Sequence, residues 1–264
     1  FYYKTFMGPH KSFWKKIYEP IIRRAAGLGK PPKEFRALSS HLHHNVDIVI
    51  VGAGLNGLLA AKSLINTNYD ILLIESDNHL GGIINNTNKI SLIDDQNPRE
   101  WIKSTVEAIE KSKNIKILKN TLVTTYNYIN HLIAVEDKYV GSRPSENKVN
   151  NILHKIRTDH VILCNGHIER FLSFQNNDLP GIMLASSFEK YICRYGTVPS
   201  KEPVIFSNNS NSNSLIYSLI DQGYKPKAYI DSRSGENIEP ELFDLIRKHD
   251  IPLYTNSLIK SVSG

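Results

Sequence analysis

The chain has 264 residues, 41% of them hydrophobic, enough to bury one large or two small cores. Its net charge of +6 is unevenly placed. Residues 1–36 carry nine basic side chains against Glu19 and Glu34, so the remaining 228 residues sum to −1, which argues against a nucleic-acid enzyme. The two cysteines, Cys164 and Cys193, form neither a zinc motif nor a disulfide framework, which fits a reducing cytoplasm. No stretch reaches the roughly 18 apolar residues of a membrane span. The chain opens at Phe1 without an initiator Met and ends at Gly264 after a strand-like run, so it reads as a piece of something longer.

Residues 1–45 are expected to form a basic, aromatic extension. In "SFWKKIYEPIIRRAAGLGK", Phe13, Ile17 and Ile21 fall on one helical face beside Trp14, Pro20 should kink or restart the helix, and Gly27 and Gly29 should end it. "KPPKEFRALSSHLHH" reads as a linker. His41, His43 and His44 are followed by no further ligands at usable spacing, so they read as a polar lead-in to a strand and not as a metal site.

Residues 46–198 are expected to form a dinucleotide-binding domain. "VDIVIVGAG" is a buried strand, "LNGLLAAKSLINTN" a helix, and "YDILLIESD" a second apolar strand, as a parallel sheet covered on both faces requires. "PREWIKSTVEAIEKSK" is an amphipathic helix, "IKILKNTLVTTYNYINHLIAVED" a strand and then a β-meander, and "ILHKIRTDHVILCNG" two more strands, the second ending at Gly166. From residue 199 to 264 a second unit repeats the strand–helix–strand order, so the fold class is a doubly wound α/β protein with a second, partial Rossmann-like unit.

Gly52, Gly54 and Gly57 form G-x-G-x-x-G between a strand and a helix, and Glu75 ends the next strand. That context is what a dinucleotide cradle requires. Gly52 permits the tight turn, Gly54 lets the backbone approach a pyrophosphate, and Gly57 lets the helix pack on the strand. Ala53, Leu55 and Asn56 bring N–H groups to the helix N-terminus, which attracts phosphate. Glu75, with Ser76 after it, is placed to accept from adenosine ribose hydroxyls. A 2′-phosphate would meet Glu75 and Asp77 with no Arg beside them, which disfavours NADP. The pair Gly81-Gly82 follows closely, as in flavoproteins and disulfide-reductase-like enzymes, and Gly166 ends the return strand "VILCNG". Cys164 reads as a small buried residue, since it has no partner thiol two or three residues away.

The second unit departs from this pattern. "IFSNNSNSNS" has no glycine in its turn, so a pyrophosphate could not approach closely, and the unit reads as Rossmann-like without nucleotide. Its Asn/Ser run reads as a solvated loop or low complexity, with Asp231 where a ribose ligand could sit. No Ser/His/Asp grouping and no paired-carboxylate motif is present, and His167, a lone histidine, is the nearest candidate for chemistry.

Longer strings carry more information than the glycines. "YYKTF", "FWKKIYEPIIRRAAGLG", "GHIERFLSFQNNDLPGIML" and the strand-plus-"SNN" turn near Ile205 resemble the α subunits of heterotetrameric sarcosine oxidases, over essentially the whole chain. The resemblance implies a small ferredoxin-like domain before Phe1 and a folate-binding aminomethyltransferase-like domain after Gly264. It implies an assembly with β, γ and δ subunits that oxidises sarcosine to glycine with oxygen as acceptor, makes hydrogen peroxide and passes the one-carbon unit to tetrahydrofolate. In such an assembly the substrate-oxidising FAD lies in the β subunit, an FMN lies at the α/β contact, and NAD lies in the α subunit. By position, NAD falls on Gly52–Gly57, Glu75 and Gly81-Gly82, with the backbone around Val123 as an adenine contact. Trp14, Tyr18 and Ile21 would be buried against the nucleotide domain or a subunit. Similar α subunits of dye-linked proline dehydrogenases, opine oxidases and hydrogen cyanide synthase place FAD at this site. A non-catalytic scaffold is the third reading.

Overall fold

A computed structural model of the chain describes residues 10, 12–27, 38–87, 92–139 and 147–263. The "YYKTF" string, Gly29 and all of "KPPKEFRA" lie outside them. A π-helical turn, Trp14–Tyr18, runs into helix α1, Glu19–Ala25, with Pro20 in its first turn. Proline is tolerated there because its missing N–H would have had no partner. No residue of either segment is buried within the chain itself, and Ile21 is 63% exposed.

The main sheet has strand order β3-β2-β1-β6-β5-β4, from β1 (Leu38–Val51), β2 (Ile71–Ile74), β3 (Ile115–Leu118), β4 (Thr121–Asn127), β5 (His131–Asp137) and β6 (Val149–Leu163). Strands β3, β2, β1 and β6 run parallel, and β5 and β4 continue antiparallel as the meander. Helices α2 (Leu55–Ser63) and α3 (Pro98–Lys111) make the β1–β2 and β2–β3 crossovers. Alternating residues of the central strands enter two cores. Ile48, Ile50, Ile71 and Leu73 pack with Leu58, Ala61, Trp101 and Ile109 of the helices. Val49, Leu72 and Ile74 pack with Leu132, Ala134 and Ile156 of the meander. Burial on both faces is why these strands read as unbroken apolar runs.

Two expectations are corrected here. The linker read over residues 38–45 is strand: β1 begins at Leu38, paired with Val149, and after an irregularity between Leu38 and Ser39 it runs parallel to β6 from Ser39↔Asn151 to Val51↔Leu163. Its polar alternation gives no local signal, so the pairing comes from a segment more than a hundred residues away. The two strands read in residues 152–166 are one, β6, which ends at Leu163, before Gly166.

A helix not anticipated from sequence, α4 (Ala185–Tyr195), connects to the second unit. It ends at Gly196 in a left-handed conformation, φ 61°, where glycine carries no steric penalty. The second unit is a parallel sheet of order β7-β8-β9 (Val204–Ser207, Ala228–Asp231, Leu253–Tyr254), crossed by α5 (Asn213–Asp221) and α6 (Pro240–Lys248). Phe188 and Ile192 of α4 pack into its core with Leu215, Tyr229 and Leu242.

Candidate functional site: a glycine-walled cradle

The site forms where β1 turns into α2. Gly52 has φ +95°, and a Cβ there would lie 2.8 Å from the Cys164 carbonyl carbon and 3.2 Å from the Asn165 Cα. A Cβ on Gly57 would run into the Gly52 carbonyl, 2.9 Å from its carbon. Both positions are closed by backbone, so glycine is fixed by packing. Gly54 is different. Its φ is −70°, it caps α2, and its Cβ would meet only the Gly82 Cα, at 3.9 Å. A Cβ on Gly82, φ +56°, would lie 2.9 Å from the Gly54 Cα. Gly54 and Gly82 thus meet backbone to backbone with no side chain between them, which keeps the turn bare for the close approach of a pyrophosphate. Leu55 is half-buried against the core and the Asn56 side chain is exposed at the first turn of α2.

Glu75 ends β2 and is 8% exposed. Its carboxylate accepts from the Ala53 N–H (2.7 Å), the Asp77 N–H (2.9 Å) and the Ser76 hydroxyl (3.1 Å). It therefore ties the glycine turn to the loop after β2, a structural role that sequence reasoning did not assign. Gly81 N–H donates to the Ala53 carbonyl (2.8 Å), tying in the Gly81-Gly82 turn. The same loop is held from β4, since Thr121 N–H donates to the Glu75 carbonyl (2.8 Å). Val123 lies two residues further along β4, half-buried and paired with Ala134. Gly166, φ +68°, is exposed, with nothing within 4 Å of where a Cβ would sit.

The statement that no arginine stands beside Asp77 is overturned. Arg194, at the end of α4, makes a two-pronged pair with it (Nη1–Oδ2 2.6 Å, Nη2–Oδ1 2.8 Å) and also donates to Asn78 Oδ1 (2.9 Å). Hydrogen bonding to Arg194 drives the Asp77 carboxyl far below the usual range. The pair joins residues 117 positions apart; the amphipathic placement of Phe188 and Ile192 before Gly196 was the signal that could have revealed its helix. The Arg194 charge is thereby neutralised and does not form an open 2′-phosphate site.

The second unit fills its own turn. Ser207, Ser212, Asn213 and Ser214 are buried, while Asn208, Asn209 and Asn211 are exposed, so only the tip of the Asn/Ser run is solvated. Glu189 of α4 is 6% exposed and accepts from Ser214 (2.7 Å), Thr87 (2.9 Å) and Ser218 (3.0 Å) hydroxyls. Asn213 donates to Glu239 (2.7 Å) at the start of α5. The fully buried Asp231, considered for a ribose, is held by the Arg233 backbone N–H and guanidinium (2.8–3.0 Å). The region that a nucleotide would occupy holds the protein's own carboxylates and amides.

Other sequence candidates are placed plainly. Among the described residues no group of three or more His, Cys, Asp or Glu is arranged for a metal ion. His44 instead hydrogen-bonds the buried His154 (2.9 Å), which reaches Glu136 (3.0 Å). Burial, Lys116, His154 and His43 all push the His44 pKa down. Burial raises the Cys164 thiol, which disfavours the nucleophilic thiolate, and its side chain packs on the helix-side core. His167 is exposed. No helix among the described residues is long and apolar enough to cross a membrane.

Comparison with known proteins agrees with this architecture. The NAD(P)-binding Rossmann-like domain family matches residues 50–100, the stretch that holds the glycine turn, Glu75 and Gly81-Gly82. The sarcosine oxidase subunit alpha of Rhizobium meliloti is 32% identical over 246 residues, covering 90% of this chain and 24% of the relative. That of Corynebacterium sp. strain P-1 is 32% identical over 212 residues, 79% of this chain and 22% of the relative. Among solved structures, L-proline dehydrogenase from P. horikoshii superposes with a TM-score of 0.58 at 20% identity, over 74% of this chain and 36% of that one, a likeness of fold. The chain spans about a quarter of the length of the curated relatives it matches. Over that quarter it is similar to the sarcosine oxidase α subunits, on a Rossmann-like dinucleotide-binding fold.

Proposed function

We propose that this chain is the nucleotide-binding part of a sarcosine oxidase-type α subunit, retaining NAD in the Gly52–Gly57 cradle while oxidation of the secondary amine takes place on a partner β subunit. The observation that carries the reading is the mutual approach of Gly54 and Gly82, two backbones with no side chain between them at the N-terminus of α2. In this reading Ala53, Leu55 and Asn56 offer N–H groups to the phosphates, and Glu75 adds ribose hydroxyls to its backbone donors. Ser76 and the Val123 backbone border the adenine, and Gly166 closes the far side. NAD at this site would supply hydride chemistry in general terms; the residues that hold it bind and orient the adenosine half. The complex so inferred contains β, γ and δ subunits, FAD and FMN outside this segment, and transfer of the one-carbon unit to tetrahydrofolate, in the cytoplasm.

The test is extraction of the purified protein. Denaturation should release a colourless nucleotide that chromatographs as NAD. A yellow extract containing FAD would replace this with the second reading, an FAD-holding α subunit of an amine or proline dehydrogenase or opine oxidase. Protein that neither carries nor takes up a dinucleotide would refute the cofactor assignment and leave a scaffold.

A further inference from the structure

On the other side of the Gly81-Gly82 turn from the cradle lies a cavity of 480 Å³. The partition is one turn thick. A Cβ on Gly82 would face Gly54 in the cradle, and one on Gly81 would face Ile102 and Asn85, which line the cavity. None of Gly52, Gly54, Gly57 or Glu75 reaches it. Its floor is apolar, from Leu80, Ile102 and Val106. Its rim is cationic: Arg99, Lys103, Lys119 and Arg194, with His79, against Glu107.

Two of those cations are already engaged. Lys119 pairs with Glu110 at 3.2 Å and Arg194 with Asp77. Arg99 and Lys103 make no ion pair among the described residues. They stand one turn apart on α3, an arrangement of like charges that weakens an isolated helix. Ile102, buried, and Val106, half-buried, line the cavity beside them, so the two charges border the apolar floor. A solvated helix face gains nothing from setting unpaired cations around such a recess. An anion with an apolar body would neutralise both charges and cover that floor. The amides of Asn78 and Asn85 add donors at the same rim.

We infer that this cavity is a second ligand site, separate from the dinucleotide cradle, for an organic phosphate carrying an apolar ring or chain. The dianion sits between Arg99 and Lys103, and the apolar body lies on Leu80, Ile102 and Val106. Arg99 and Lys103 are exposed, so their replacement leaves the fold intact.

The probe is phenyl phosphate, titrated into the full chain by calorimetry and by amide chemical shifts, with inorganic phosphate as the comparison. Saturable binding is expected, weakening with added salt, with shifts at residues 78–80 and 99–106 and none at 52–57. Inorganic phosphate should bind more weakly, for want of the apolar body. The double variant Arg99→Glu/Lys103→Glu should lose at least about tenfold in affinity while its dinucleotide content stays unchanged. A Gly54→Val variant, emptied of nucleotide, should still bind the probe, so the site stands or falls apart from the cofactor reading. The inference is overturned if wild-type protein shows no saturable binding, if the charge-reversed variant binds equally well, or if the probe competes one-for-one with NAD. Should the double variant not fold, the shift map on wild-type protein decides the matter alone.

Discussion

Two glycines of one motif should fail in opposite ways. Gly57→Ala adds a methyl group inside α2, where helix propensity favours alanine by about 0.8–1.0 kcal/mol. The new Cβ, however, would lie 2.9 Å from the carbonyl carbon of Gly52, and closer still to its oxygen. Both atoms belong to a backbone pinned by Gly52 N–H to the Ile74 carbonyl (2.8 Å), so the helix must retreat from the strand. Overpacking of this kind costs about 1–3 kcal/mol, sometimes more, which outweighs or cancels the propensity gain. In a chain of this size each 1 kcal/mol moves the melting temperature by about 2–4 °C. Gly54→Ala meets only a 3.9 Å contact and keeps an ordinary φ of −70°. Alanine is a poorer N-cap, so the stability cost stays under about 1 kcal/mol. Its methyl group, however, projects toward the Gly82 Cα in the bare turn. The assay is thermal unfolding paired with chromatography of released nucleotide. Gly57→Ala should melt several degrees lower; Gly54→Ala should melt near wild type and lose its dinucleotide. A Gly57→Ala protein that melts at or above wild type with its nucleotide in place would refute the packing argument. A Gly54→Ala protein that keeps full nucleotide would refute the location of the cradle.

Other changes separate binding from scaffolding. Glu75→Ala leaves the Ala53 N–H buried without its acceptor, at a cost of about 1–3 kcal/mol; Glu75→Arg should in addition abolish nucleotide retention, and an unchanged content in released-nucleotide assays would remove the ribose role. Arg194→Gln removes both prongs on Asp77, whose side chain is 36% exposed, so after discounting for solvent screening the expected loss at neutral pH is only about 1 kcal/mol. Asp77 has a depressed native pKa, so its contribution is present above the unfolded carboxylate value and fades as pH falls toward the native one. The gap between wild type and Arg194→Gln should therefore hold above about pH 4 and narrow steadily as pH falls below it, and a gap that does not narrow on acidification would show that packing, not charge, sets the difference. Glu189→Leu removes the buried acceptor shared by the Thr87, Ser214 and Ser218 hydroxyls and should destabilise by about 1–3 kcal/mol, read as a lower denaturation midpoint; an unchanged midpoint would show that the network is not holding the second unit.

What could be read from the sequence was local. The apolar runs of β1 and β2, the three glycines and Glu75 are all specified within 29 residues, and each owes its identity to sterics or burial near itself. What could not be read depends on distant partners. Residues 38–45 alternate polar side chains on both faces, so nothing local distinguishes strand from linker; β6 decides it by supplying the ladder. The Asn/Ser run of the second unit looks solvated until Glu189 and Glu239 arrive, because a buried hydroxyl or amide is stable only with its partner present. The same logic separates the two Rossmann-like units functionally. In the first, side chains are withheld from the turn between Gly54 and Gly82, and the Glu75 carboxylate engages the backbone. In the second, Glu189 and Glu239 engage the side chains of Ser214 and Asn213 at the start of α5, and Arg233 holds Asp231 and reaches Ser210 in the turn. A ligand entering there would have to replace short, buried, charge-assisted hydrogen bonds before making any of its own. Glu189 also reaches Thr87, just beyond the Gly81-Gly82 turn. The second unit's closed turn is therefore braced against the wall of the first unit's open one, a reason for the chain to keep a nucleotide fold that has filled its own site.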